Sequence, residues 1–206
     1  GQYAEIRLEE FSLSRNYSFA MAPKGQEANE LVFHVRKVPG GKFTEWLFAA
    51  NRQETRLSMS GPFGDFYLRS AEGEKPAPMV CVAGGSGMAP ILSLLDQAKW
   101  AGETRDAVYL FGARTQQDLY AEEEIARIQQ GWRGSLNFKQ VLSEEPVNTS
   151  WAGARGYVTD ELDKLQLNWS EVQAYLCGPP AMIDAAIAKF SKLGVKAVNI
   201  RYDKFE

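Results

Sequence analysis

The run Val82-Ala-Gly-Gly-Ser-Gly-Met-Ala-Pro90 sets a glycine-rich turn between an apolar stretch and a helix-forming one. Glycines at 84, 85 and 87, with Ser86 among them, permit φ values closed to other residues and let the main chain approach a ligand closely. The free N–H groups of the helix that follows add a weak positive pole. The chemistry this allows is the holding of phosphate groups. The pattern departs from the G-x-G-x-x-G dinucleotide fingerprint, because Pro90 stands where the third glycine would be, and Pro90 suits a first helical turn. A second cluster is Arg15-Asn16-Tyr17-Ser18. It combines a guanidinium suited to a pyrophosphate, a ring suited to stacking on a flat heterocycle, and a hydroxyl suited to a ring heteroatom. A third is Cys177-Gly178-Pro179-Pro180, which also follows an apolar run.

These groups need elements to place them, and the periodicity divides the chain in two. Residues 1–70 read as short strands broken by turn clusters, at 2–8, 15–20, 31–38, 56–60 and 66–68, with a short helical stretch near 44–49. In 31–38, Leu31, Phe33 and Val35 alternate with Val32, His34 and Arg36, which predicts one core face and one working face. Residues 71–78, polar and proline-bearing, read as a linker. From 79 to 206 strands and helices alternate: strands at 79–83, 107–113, 136–142, 172–177 and 198–202, and helices at 88–101, 119–130, 159–165 and 181–193. Such alternation predicts right-handed βαβ units and a five-stranded parallel sheet, with ligands at the carboxyl ends of its strands. Gly84 to Gly87 and the Cys177 turn then share one rim.

Composition narrows the function. At 206 residues, 45% apolar and 24% charged, the chain is ordinary for a globular protein. A formal charge of -3, with scattered basic residues, argues against nucleic acid and anionic membrane as partners. No stretch of 18 apolar residues occurs, so neither a membrane span nor an export signal is expected and the cytoplasm is the default compartment. Two cysteines, Cys81 and Cys177, and one histidine, His34, cannot supply four cysteine ligands to an iron-sulfur cluster, and no zinc spacing is present, so no metal site is expected.

Taken in order, R-x-Y-S at 15–18, Gly61-Pro-Phe-Gly64, G-G-x-G-x-x-P at 84–90, F-G-x-R at 111–114, C-G-P-P at 177–180 and a near-terminal aromatic resemble the ferredoxin-NADP reductase superfamily over essentially the whole chain. The stretches 33–44 and 60–69 are most similar to NADH-dependent reductase components of bacterial aromatic-ring dioxygenases and soluble di-iron monooxygenases. The resemblance implies an antiparallel flavin-binding β-barrel, N-terminally truncated here, followed by the α/β nicotinamide-binding domain. It implies FAD and NADH as cofactors. Hydride would pass from NADH to the flavin and single electrons onward to a [2Fe-2S] ferredoxin domain or protein that feeds a terminal oxygenase. The matching positions imply roles: Arg15 on the flavin pyrophosphate, Asn16 and Tyr17 beside the flavin, Ser18 near its N5. His34, Val35 and Arg36 continue the cradle, and Lys42, Phe43 and Thr44 offer helix-start N–H groups to the pyrophosphate.

On the second domain the resemblance implies that Gly84, Gly85, Ser86 and Gly87 form the dinucleotide loop. It places Cys177, Gly178 and Pro179 beside the nicotinamide, and Asp203 and Phe205 as a terminal acid and aromatic at the transfer centre. Local readings stand beside these: Cys177 as a small buried hydrophobe, His34 as a half-exposed strand histidine. Asp118 is either an acid that disfavours the 2′-phosphate of NADPH or a cap ahead of Leu119, while Arg114 serves either nucleotide. Glu122, Glu123 and Glu124 read as complements to a helix dipole. The competing functions are a reductase that uses free flavin or ferric ion as substrate, and a non-catalytic nucleotide-binding subunit on the same fold.

Overall fold

The computed structural model of the protein describes residues 1–8, 13–23, 29–69 and 77–205. Strands β1 (Tyr3–Leu8), β2 (Leu13–Ser18) and β3 (Ser58–Phe63) form an antiparallel sheet in the order β2-β1-β3. Along β1, Ala4, Ile6 and Leu8 are buried while Arg7 is exposed, the period of two expected of a sheet with one covered face. Helix α1 (Lys42–Ala49) supplies part of the cover, since Phe43 packs with Ile6 and Leu8, flanked by Tyr17, Phe33 and Trp46. The register sets Ser18 opposite Tyr3 and Arg15 opposite Ile6.

The second sheet has six parallel strands: β4 (Met79–Gly84), β5 (Ala107–Ala113), β6 (Leu136–Leu142), β7 (Ala154–Arg155), β8 (Gln173–Gly178) and β9 (Ile200–Lys204), ordered β7-β6-β5-β4-β8-β9. Helices α2 (Met88–Trp100), α3 (Glu122–Gln130) and α4 (Pro180–Leu193) cover it. Every residue of β4 is buried, and its alternation divides two cores. Met79, Cys81 and Ala83 pack with residues of α2 and α3, whereas Val80 and Val82 pack with Ile183, Ala186 and Phe190 of α4. The chain runs outward from β4 through β5, β6 and β7, then returns to β4's other side with β8. That reversal opens a crevice between the carboxyl ends of β4 and β8.

Several expected elements differ. Residues 31–38 form no strand: apart from the bridge Phe19↔Phe33 and the bond from Ala20 N to Val32 O (2.8 Å), they have no ladder partner among the described residues. The strand expected at 56–60 lies at Ser58–Phe63, where Pro62 is tolerated because β3 is an edge strand. Residues 66–68 form no strand either; Phe66 packs edge-on to Tyr175, 6.1 Å between centroids, within the parallel sheet's core. The helix expected from 119 begins at Glu122, because Ala121 has φ +62 and breaks the turn before it. The helix expected near 159–165 is a 3-10 helix, Val158–Lys164. The sixth strand, β7, is two residues long, too short to carry a periodic signal. Residues 71–76 of the expected linker lie outside the described residues.

Candidate functional site

At the crevice, β4 ends in Gly84 and turns through Gly85–Gly87 into α2, while β8 ends in Gly178 and turns through Pro179 into α4. The two turns touch backbone to backbone. A Cβ on Gly87 would lie 2.2 Å from the carbonyl oxygen of Cys177, and one on Gly178, whose φ is +146, would lie 2.8 Å from the oxygen of Gly84. A Cβ on Gly84 would meet Met182 Sδ at 2.6 Å. Gly85 differs: at φ +55 it has nothing within 4 Å of a Cβ and faces outward.

Two cavities meet over this rim. The first, about 720 Å³, is lined by Gly84, Gly85, Ser86, Arg114, Asp118 and Pro179, with Phe33 and Val35 on its opposite wall. The second, about 780 Å³, is lined by Arg15, Asn16, Tyr17 and Ser18 of β2, Phe43 and Thr44 of α1, and Asp203 and Phe205 of the terminal strand and its extension. His34, Arg36 and Ser86 line both. Seventeen of the residues singled out from the sequence therefore converge on one composite site: Arg15, Asn16, Tyr17, Ser18, His34, Val35, Arg36, Phe43, Thr44, Gly84, Gly85, Ser86, Arg114, Asp118, Pro179, Asp203 and Phe205.

Local contacts set each group. The Tyr17 ring lies 5.3 Å from that of Phe43, and burial raises its phenol pKa. The Thr44 hydroxyl is engaged by the chain itself: it accepts from Val38 N (3.1 Å) and lies 3.2 Å from the carbonyls of Val38 and Gly41. Arg15 is exposed and its guanidinium donates to the carbonyl of Ser14 (2.8 Å). Asp203 pairs across the sheet with Cys177, and burial, reinforced by Asp65, raises its carboxyl pKa. Phe205 N donates to Gly178 O (2.9 Å), which ties the terminal segment to the β8 turn. Burial lowers the pKa of His34, and its Nδ1 is buried with no partner.

Asp118 is not the expected cap ahead of Leu119, since the next helix begins at Glu122 after Ala121; it is instead the last residue of the 3-10 turn Gln116–Asp118 and closes a capping box on Thr115. Its Oδ2 accepts from Thr115 N (3.1 Å), its Oδ1 lies 3.4 Å from Arg114 Nη2, and its side chain borders the first cavity. Burial pushes its carboxyl up, but the Thr115 N–H and the Arg114 guanidinium outweigh that and hold it low.

Four expected site residues line neither cavity. Lys42 is exposed, its side chain leaving the helix start on the solvent side. Gly87 and Gly178 are consumed in the contact between the turns. Cys177 is fully buried beneath them, and burial, then the Asp203 charge, push its thiol well above the ordinary range. Val35 lines the first cavity alone, because 31–38 is not an alternating strand.

The sequence reading missed Tyr120. Its hydroxyl donates to Gly85 O (2.9 Å), and its ring stands edge-on to His34 at 5.2 Å and to Phe111 at 5.9 Å. It therefore joins the glycine turn to the segment that walls both cavities. Its place two residues after Asp118 was the available signal. Among the described residues no group of three or more His, Cys, Asp or Glu is arranged to hold a metal ion, and no helix is long and apolar enough to cross a membrane.

Residues 81–187 match the oxidoreductase NAD-binding domain family, and residues 1–67 match the oxidoreductase FAD-binding domain family. The chain belongs to the NAD-binding oxidoreductase family. It is 44% identical over 205 residues to the electron transfer component of a xylene/toluene monooxygenase of Pseudomonas putida, covering 100% of this chain and 57% of that protein. It is 38% identical to the reductase component of a naphthalene 1,2-dioxygenase system of Pseudomonas putida, covering 100% and 60%. The solved structure of an Amycolatopsis cytochrome P450 reductase superposes with a TM-score of 0.87 at 33% identity, covering 100% of this chain and 60% of that one. The chain thus spans about three-fifths of the length of such relatives and carries an FAD-binding domain ahead of its NAD-binding domain.

Proposed function

We propose that this chain is the flavin- and nicotinamide-binding part of an oxygenase reductase component, which takes hydride from NADH and delivers single electrons to a [2Fe-2S] ferredoxin domain or protein and so to a terminal oxygenase. The observation that carries this reading is the junction of the two cavities at His34, Arg36 and Ser86, one lined from the FAD-binding domain and one from the glycine rim. The donor set fits the two groups. The second cavity offers a guanidinium, an amide, a hydroxyl and an aromatic ring on consecutive residues of β2, and the first offers an outward-facing glycine over which a phosphate can settle. Bound FAD supplies the conversion of a two-electron hydride into single electrons.

In this reading Arg15 neutralises the flavin pyrophosphate, Tyr17 covers the ring system and Ser18 donates to its central edge. Phe43 backs Tyr17. Gly84, Gly85 and Ser86 bind the nicotinamide dinucleotide through main-chain N–H groups, with Tyr120 fixing the carbonyl of Gly85. Phe205 and Asp203 close the second cavity where the nicotinamide must approach, and Cys177 and Gly178 support the rim from beneath without lining either cavity. Arg114 and Asp118 flank the nucleotide's ribose end. The cytoplasm is the compartment this assignment requires, since NADH is generated there.

The test is anaerobic mixing of the full-length, FAD-loaded protein with NADH. Rapid bleaching of the flavin absorbance is expected, slowed in Ser18→Ala without loss of bound FAD. Absence of bleaching in the parent protein removes the reading, and an unchanged rate in Ser18→Ala removes Ser18 from the transfer centre.

A further inference from the structure

The turn after β5 borders the first cavity through Arg114 and Asp118. A 2′-phosphate settling there needs cations and unengaged N–H groups. The turn's first two N–H groups are already taken by carboxylates. Thr115 N donates to Asp118 Oδ2 (3.1 Å), and Gln116 N donates to Glu145 Oε2 (2.9 Å), an acid from a loop 29 residues away. Glu145 also accepts from Gln116 Nε2 at 2.6 Å and is 9% exposed.

We propose that Glu145 is a second determinant, beside Asp118, of the choice between NADH and NADPH, acting by occupying the Gln116 N–H and by setting a negative charge behind the turn. The proposal rests on the NADH assignment above. Hydrogen bonds from Thr149 and from the Gln116 N–H hold the Glu145 carboxyl below its usual range, so it is ionised at neutral pH. Arg155 donates to the carbonyls of Glu145 (3.3 Å) and Pro146 (3.1 Å), which fixes its guanidinium on the same loop. Arg114 lies against Asp118, whereas Arg155 is bonded to the main chain of the Glu145 loop and reaches the Glu145 carboxylate only through its field; Glu144, whose N–H donates to Arg114 O (2.8 Å), is a further acid at the turn. Removing the Glu145 charge makes the field around the turn less negative, which favours a 2′-phosphate beside Arg114. Glu145 is a positioning residue, because it acts on the nucleotide through the turn and the local field.

Glu145→Gln removes the charge while its amide oxygen still accepts from Gln116 N; its NH2 then faces the Gln116 side chain, whose amide turns over to accept it. The measurement is calorimetric binding of adenosine 2′,5′-bisphosphate and of 5′-AMP, which differ only in the 2′-phosphate, to the full-length FAD-loaded protein. In Glu145→Gln the bisphosphate should bind about three- to tenfold tighter, less so at high salt, with 5′-AMP unchanged within about twofold. The NADPH to NADH ratio of kcat/KM should rise by the same factor while KM for NADH holds. Arg155→Gln should move the bisphosphate preference the opposite way, so the idea remains testable if one variant folds poorly. An unchanged bisphosphate to 5′-AMP ratio in both variants overturns the proposal. Failure of the parent protein to bind 5′-AMP or to be reduced by NADH overturns instead the assignment of the first cavity.

Discussion

Replacing Gly87 and Gly85 by alanine, one at a time, should give opposite phenotypes although the two glycines are two residues apart. At Gly87 the added Cβ meets Cys177 O at 2.2 Å, Cys177 C at 2.5 Å and Gly178 N at 2.9 Å. All three are backbone atoms of a strand end held by pairing to β4 and β9, so no side chain can swing aside. The glycine turn must lift off β8, opening the contact that also constrains Gly84 and Gly178. Overpacking of this kind costs about 1–3 kcal/mol, and the rigidity of the neighbours puts this case at the upper end. For a chain near 200 residues that lowers Tm by roughly 6–12 °C. At Gly85 the Cβ has open space, and only the positive φ is penalised, about 1 kcal/mol or roughly 2–4 °C. Its Cβ instead occupies the surface offered to the dinucleotide, so NADH binding should fall while the fold persists. Thermal unfolding and NADH titration of the FAD-loaded protein give both quantities. A Gly87→Ala protein as stable as Gly85→Ala would refute the close-contact argument, and undiminished NADH binding by Gly85→Ala would refute the outward-facing role.

Arg15→Ala should cost mainly flavin occupancy: a charge-assisted phosphate contact is worth about 1.5–3 kcal/mol, roughly ten- to a hundredfold in FAD affinity, readable by fluorescence titration. Cys177 should resist thiol reagents in the native protein at mildly alkaline pH and react only after unfolding, because its sulfur is buried and its pKa displaced upward; rapid native labelling would contradict that burial. Glu161 gives a pH prediction. Burial raises its pKa, but hydrogen bonds from Lys139 and Lys164 prevail and leave the folded value below 4.5. Its contribution is therefore complete above pH 4.5 and is lost as pH falls through the depressed folded value. Glu161→Gln should destabilise by about 1–3 kcal/mol in urea unfolding at neutral pH, with the difference from the parent shrinking in acid; a gap that widens in acid would reverse the sign.

The alternation of apolar strands and helices after residue 79 determined the parallel sheet, since burial on both faces forces continuous apolar runs such as 79–83. Glycine spacing at 84–87 marked the rim, because a turn with φ +55 at Gly85 and no room at Gly87 admits little else. The grouping at 15–18 marked the second cavity, whose lining it shares as four consecutive residues. What the sequence did not contain was long-range placement. Residues 31–38 have the alternation of a strand but, among the described residues, one bridge partner, so His34 and Arg36 serve both cavities and Val35 turns to the first, which no local pattern encodes. The resemblance implies Cys177 at the transfer centre, while its fully buried side chain and its place beneath the two turns come from the tertiary packing. Tyr120 and Glu145 acquire roles only through contacts 35 and 29 residues away. Periodicity records which face of an element is buried. Which element arrives to bury it is decided by the fold, because that partner is chosen by summed packing over the whole chain rather than by any neighbouring residue.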